Sequence, residues 1–191
     1  MLIIKIMAQI KTIPFIAFAL LFTCIVNTNV VIAQEDDEYD IPAAEKYMRD
    51  KYIEYYEADF DAVFNAVKQY VISLGAEIER DVTADNDKGF KKGMVRSNIF
   101  VLTQKTDSAF KVIQKYSFRP PFIRGGIWTS ARVQYKILLN DEGNGKISVV
   151  FENELSGFED HATFKVHFFK TNGLLEHEGF ATIKDLIEKK R

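Results

Sequence analysis

Cysteine is almost absent from this chain: its 191 residues contain one, Cys24. No intramolecular disulfide can form, so the fold must be held by its core, and paired-thiol chemistry is excluded. Histidine is also scarce, at His161, His167 and His177. If Ala162–Phe169 is a strand, the first two stand about 20 Å apart, too far to share a metal. His177 lacks the His-Glu-x-x-His spacing of a zinc helix. There is no Gly-x-Ser-x-Gly elbow and no phosphate-cradling glycine loop, and Gly125-Gly126 reads as a turn. Basic charge is not in excess either, with 25 Lys and Arg against 27 Asp and Glu. A nucleic-acid surface needs a positive field to displace counterions, so none is expected. The acids of Ala84–Gly89 lack the twelfth-position glutamate of an EF-hand and read as turn residues. These absences predict a protein that is not an enzyme and carries no cofactor and no metal.

Long apolar runs are equally few. Lys5 and Lys11 form a basic start, Ile13–Val26 is a mostly apolar run of 14 residues, and Val31-Ile32-Ala33 ends on a small residue. The run falls short of the ~20 residues a spanning helix needs. Residues 1–33 therefore read as a signal peptide cleaved after Ala33, which places the mature protein in the periplasm or outside the cell. Two alternatives stay open: an uncleaved anchor over residues 13–26, and lipid attachment at Cys24, although Phe22 and Thr23 replace the small residues that lipoprotein processing prefers. Membrane association is expected only in those two cases. Without the leader, 23 basic residues face 27 acidic ones. The mature 158 residues suit one domain, which at this size can bury roughly 70% of its unfolded surface.

What is present is a patterned chain. Residues 34–50 form an acidic lead-in (Glu35, Asp36, Asp37, Glu38, Asp40) with a short helical turn after Pro42, and 51–191 form the domain. Lys51–Glu57 reads as a strand. Phe60, Val63, Phe64, Val67, Val71 and Leu74 then follow helical spacing, with Asp59 as N-cap and Gly75 as the stop. Ala76–Val82 returns to period two. Further strands are expected at Phe90–Ser97, Ile99–Thr103, Ser108–Phe118 and Ala162–Phe169. Arg132–Leu139 and Lys146–Glu154 should form an antiparallel hairpin, because Asn140–Gly145 is turn chemistry. A second helix over Leu174–Lys190, capped by Asn172, closes the chain. The expected fold class is α+β: an antiparallel sheet of six to eight strands with two helices on one face, either a two-layer sandwich or a helix-grip form with a cavity under the last helix.

Phe60-Asp61-Ala62-Val63-Phe64-Asn65-Ala66-Val67, Leu74-Gly75-Ala76-Glu77-Ile78 and Lys88-Gly89 together resemble the opening of small exported bacterial domains such as the BamC-like envelope lipoprotein domains. Thr171-Asn172-Gly173-Leu174-Leu175-Glu176 resembles the approach to the last helix in such proteins, and equally that of helix-grip proteins. The resemblance covers the two ends of the mature domain, and it implies an envelope location and an α+β fold.

One stretch departs from the pattern. Phe118–Trp128 joins two strands but is too long and too apolar for a simple hairpin, and it holds the only tryptophan. Phe118, Arg119, Phe122, Arg124 and Trp128 are the candidate binding residues, since aromatic and arginine anchors dominate many interfaces. The competing reading folds this loop over one end of the core. The expected function is non-enzymatic binding of an envelope protein or assembly component. The alternative is carriage of a small apolar ligand between the sheet and the last helix.

Overall fold

The computed structural model describes residues 46–120 and 122–189, so the expected leader and most of the acidic lead-in lie outside the described residues. Among the described residues the fold is α+β, a seven-stranded antiparallel sheet with three helices. In chain order the elements are β1 (Tyr52–Glu57), α1 (Phe60–Ser73), β2 (Ile78–Asp85), β3 (Lys91–Thr103), α2 (Thr106–Tyr116), β4 (Trp128–Asp141), β5 (Lys146–Phe151), β6 (Glu154–Glu159), β7 (Lys165–Phe169) and α3 (Leu174–Glu188).

Local chemistry explains α1. Asp59 is its N-cap, and its Oδ2 accepts from the amides of Asp61 and Ala62 at 2.9 and 3.3 Å. Phe60, Val63, Phe64, Val67 and Val71 of the helical stripe are buried, with Ala66 and Tyr70 added to them, and Leu74 is half-buried. Leu74 closes the helix and Gly75 follows at φ 83°, a conformation that costs glycine little.

The long strand β4 organises the sheet. One edge pairs with β3, while the other pairs with β6 over Trp128–Gln134 and with β5 over Ile137–Asp141. The sheet therefore forks into two arms, β5–β1 and β6–β7, and β1, β2 and β7 are its outer strands. Ala131, Val133, Tyr135, Ile137 and Leu139 are alternate residues of β4 and are all buried, so they line one face. Val133 to Leu139 join the main core with α1, α3, β1 and β5; Ala131 joins a smaller cluster with Ala109 and Ile113 of α2 and with Trp128. Gly157 of β6 lets α2 approach, because a Cβ there would lie 2.5 Å from Ile113 Cδ1.

Several expectations need correction. Ser108–Phe118 is not a strand: it falls almost wholly within α2, with Ala109 and Ile113 buried four residues apart. Among the described residues the helices accordingly number three rather than two. The two strands expected at 90–103 are one strand with a bulge, where the buried Ser97 side chain accepts from Tyr135 N at 2.9 Å and donates to Asn98 O at 2.6 Å. The strand expected at 146–154 ends at Phe151, and β6 begins at Glu154 to pair with the other half of β4. The strand expected from Ala162 begins only at Lys165. Gly173, not Asn172, holds the N-cap position of α3, at φ 88°, although Asn172 Oδ1 does accept from Leu174 N at 3.1 Å.

Candidate functional site

Two regions combine exposure with built geometry. The first is the Phe118–Trp128 loop together with the turn that joins β6 to β7. Glu159, the last residue of β6, is fully buried, yet its carboxylate is fully engaged. Oε1 accepts from the amides of Ile127, His161 and Ala162 at 2.9, 2.8 and 2.9 Å. Oε2 accepts from Thr163 N at 2.5 Å and Thr163 Oγ1 at 2.7 Å. Because the Thr163 hydroxyl proton is committed to Glu159, its oxygen accepts from His167 Nε2 at 2.8 Å. Burial works against the charge, but the amides of Ala162, Ile127 and Thr163 and the Thr163 hydroxyl outweigh it and hold the carboxyl well below its usual range. The same lock ties loop to turn: Asp160 N donates to Ile127 O at 2.9 Å, and His161 Nδ1 lies 3.0 Å from Gly125 O.

This scaffold holds apolar side chains in water. Phe122 is 87% exposed, Phe164 66% and Phe168 65%. Phe164 has φ 52°, a left-handed conformation that is an outlier for a bulky residue. Val166 and Phe168 share the outer face of β7, and Phe158 of β6 stands opposite Val166. The candidate loop residues divide. Phe122 and Arg124 are exposed, whereas Phe118 is half-buried and Arg119, at φ 50°, places its guanidinium 4.8 Å over the Phe118 ring. Trp128 must be corrected to a core residue: it is 5% exposed, stacks on Phe110 at 6.2 Å, and meets the rings of His167 and Phe169 at 5.3 and 5.6 Å. Glu159 and Phe164 were missed as site residues. Thr163, four residues after Glu159, was the only side-chain clue to a carboxylate otherwise held by backbone amides.

The second region is a cleft of about 600 Å³ between β1 and α3. Tyr52 donates its hydroxyl to Thr171 O at 3.2 Å and Tyr56 to Phe180 O at 3.0 Å, so strand and helix run in the same direction along the cleft. Tyr47 stacks on His177 at its start, with ring centroids 4.4 Å apart. Arg49, Glu54, Glu57, Lys184 and Glu188 supply charge along its walls. Deeper in, Ile183 is fully buried and Phe180 meets the Phe151 ring edge-on at 4.8 Å, so the helix and sheet are packed together there.

Behind the cleft, at the fork of the sheet, Glu176 is 1% exposed. Its Oε1 accepts from Thr171 Oγ1 at 2.9 Å and Asn153 Nδ2 at 3.1 Å, whereas its Oε2 and Asn153 Oδ1 have no hydrogen-bond partner among the described residues. Burial pushes this carboxyl above its ordinary value of 4.5, against the pull of those hydrogen bonds. A raised folded-state value gives stability that is complete below pH 4.5 and is lost as pH rises through the folded value. Glu176→Gln removes that loss and places an amide donor where the orphan oxygen stood. Its melting temperature should exceed that of the wild type by about 2–4 °C at pH 8, with the gain shrinking toward pH 4. Equal melting curves at both pH values would show that Glu176 is not held in a disfavoured charge state.

Among the described residues no three His, Cys, Asp or Glu side chains are grouped to hold a metal ion. Compared with known proteins, the chain matches no family model, no curated protein and no solved structure.

Proposed function

We propose that this is an exported, non-catalytic domain of the bacterial envelope that docks another protein through the aromatic surface around Phe122, Phe164 and Phe168. The observation that carries the reading is Phe164. A bulky residue at φ 52° costs on the order of 1–3 kcal/mol, and its ring gains little burial within this fold to offset that cost. The turn is nevertheless held in place by the buried Glu159 carboxylate. Exposed apolar side chains in stretches that also expose Arg124, Asp160 and Lys165 have the make-up of an interface core with a polar edge. Export rests on the leader features of residues 1–33, and the resemblance to BamC-like envelope domains supports the same location.

The test uses the mature chain with a photoreactive amino acid at position 122, crosslinked in exporting cells. One dominant protein adduct is expected, and Phe164→Ala or Phe168→Ala should reduce it at least about tenfold while shifting stability by less than about 0.5 kcal/mol. An adduct indifferent to both substitutions, or variants that melt far below the wild type, would refute the docking surface. The second reading, a carrier of a small apolar molecule, draws on the cleft beside β1, whose volume falls within the ~300–1,000 Å³ of ligand sites. Its walls carry five charged side chains, and Ile183 and Phe180 occupy the interior, which weighs against an apolar guest.

A further inference from the structure

We infer that the cleft between β1 and α3 is a second binding site, which takes an extended polypeptide segment of another protein as an added strand on the outer edge of β1. Among the described residues β1 pairs only with β5, so the backbone groups on its other edge have no strand partner. Such an edge accepts a ligand that presents its own N–H and C=O groups at strand spacing, as a polypeptide does and an apolar small molecule does not. At about 3.3 Å per residue, the six residues of β1 offer roughly 20 Å of edge, enough for a segment of similar length.

Helix α3 supplies the wall that a bare edge strand lacks. The Tyr52 and Tyr56 hydrogen bonds hold it alongside β1, and the exposed Ala181 keeps the groove open at its middle. Charge gives the groove a direction. Arg49 lies three residues before the start of β1, whereas Glu188, the last residue of α3, lies one helical turn beyond Lys184 toward the other end. The matching segment carries an acidic group toward Arg49, a basic group toward Glu188, and alternating side chains between them that pack on the tyrosines.

The experiment pans a phage-displayed library of random linear peptides on the mature protein and titrates the tightest selected peptide. Ala181→Trp fills the groove from an exposed helix position and should weaken binding at least about tenfold. Ile72→Trp, the same addition at an exposed position of α1, should leave binding unchanged. Hydrogen exchange of alternate β1 amides should slow in the complex, as expected when an edge becomes a paired strand. The inference is overturned if no peptide is enriched over panning on the Ala181→Trp protein, if the selected peptide binds both tryptophan variants alike, or if it leaves β1 exchange unaltered. Because the aromatic surface around Phe164 is untouched in these variants, failure here leaves the crosslinking test of that surface independent.

Discussion

Trp128→Ala is expected to lower stability by about 3–5 kcal/mol, the cost of truncating a buried aromatic whose site cannot collapse. The indole is 5% exposed and wedged between Phe110 of α2 and the rings of His167 and Phe169 on β7. Removing it opens a cavity bounded by a helix on one side and a hydrogen-bonded sheet on the other. Gly157 marks how closely this region is packed, since a Cβ there would lie 3.2 Å from Trp128 Cε3. Urea titrations measure the effect, with Phe122→Ala as the contrast: same loop, 87% exposed, and an expected change below about 0.5 kcal/mol. If Trp128→Ala lost less than ~1 kcal/mol, the small cluster beneath α2 would not be part of the cooperative core.

The contrast between these two residues shows what a sequence reveals about a loop. Phe118–Trp128 is recognisably anomalous because it is long and apolar for a connecting segment, which in the fold joins α2 to β4, and the anomaly has two causes superimposed. Trp128 is the first residue of β4, held inward by α2, whereas Phe122 faces water. Only the position of α2 separates the two cases, and α2 is the element the sequence disguises. Phe110, Val112, Tyr116 and Phe118 alternate as a strand would, but Ala109, Phe110, Val112, Ile113 and Tyr116 also satisfy helical spacing. Asp107 in the first turn and Lys115 in the last are the dipole-compatible charges that favour the helix. Elements with consistent local signals were legible: α1, with its Asp59 cap and Gly75 stop, and the β4–β5 hairpin, with its asparagine and glycine turn. The division of 146–159 into β5 and β6 was not, because it follows from the length of β4, which accommodates two short partners end to end.

The candidate sites were harder to read for a related reason. The cleft joins β1 to α3, elements separated by most of the domain, and locally shows only a tyrosine-rich strand. In sequence Glu159 resembles any exposed carboxylate, such as Glu152 between β5 and β6, which pairs with exposed Lys136. What distinguishes Glu159 is a ring of donors supplied mostly by the backbone, and side-chain patterns do not encode a ring of that kind.

Glu159→Gln tests that ring and carries the second large effect. Glutamine keeps the shape but turns one acceptor oxygen into an NH₂ group, which then points at amide and hydroxyl donors. The melting temperature should fall by on the order of 10 °C. The pH dependence follows from sign. The carboxyl is held below its ordinary value of 4.5 in the folded protein, so its stabilisation is present above pH 4.5 and is lost as pH falls through the folded value. The gap between wild type and variant should thus be widest above about pH 5 and narrow as the solution is acidified, opposite to the trend for Glu176→Gln. Amide exchange should accelerate at Asp160–Thr163 before it does in β4, since the turn loses its anchor while the main core keeps its packing. Crosslinking from position 122 should fall together with that protection, because a loosened turn no longer presents Phe164 in a fixed place. Unchanged exchange in the turn, or a stability loss independent of pH, would mean that the buried carboxylate is not what holds this surface.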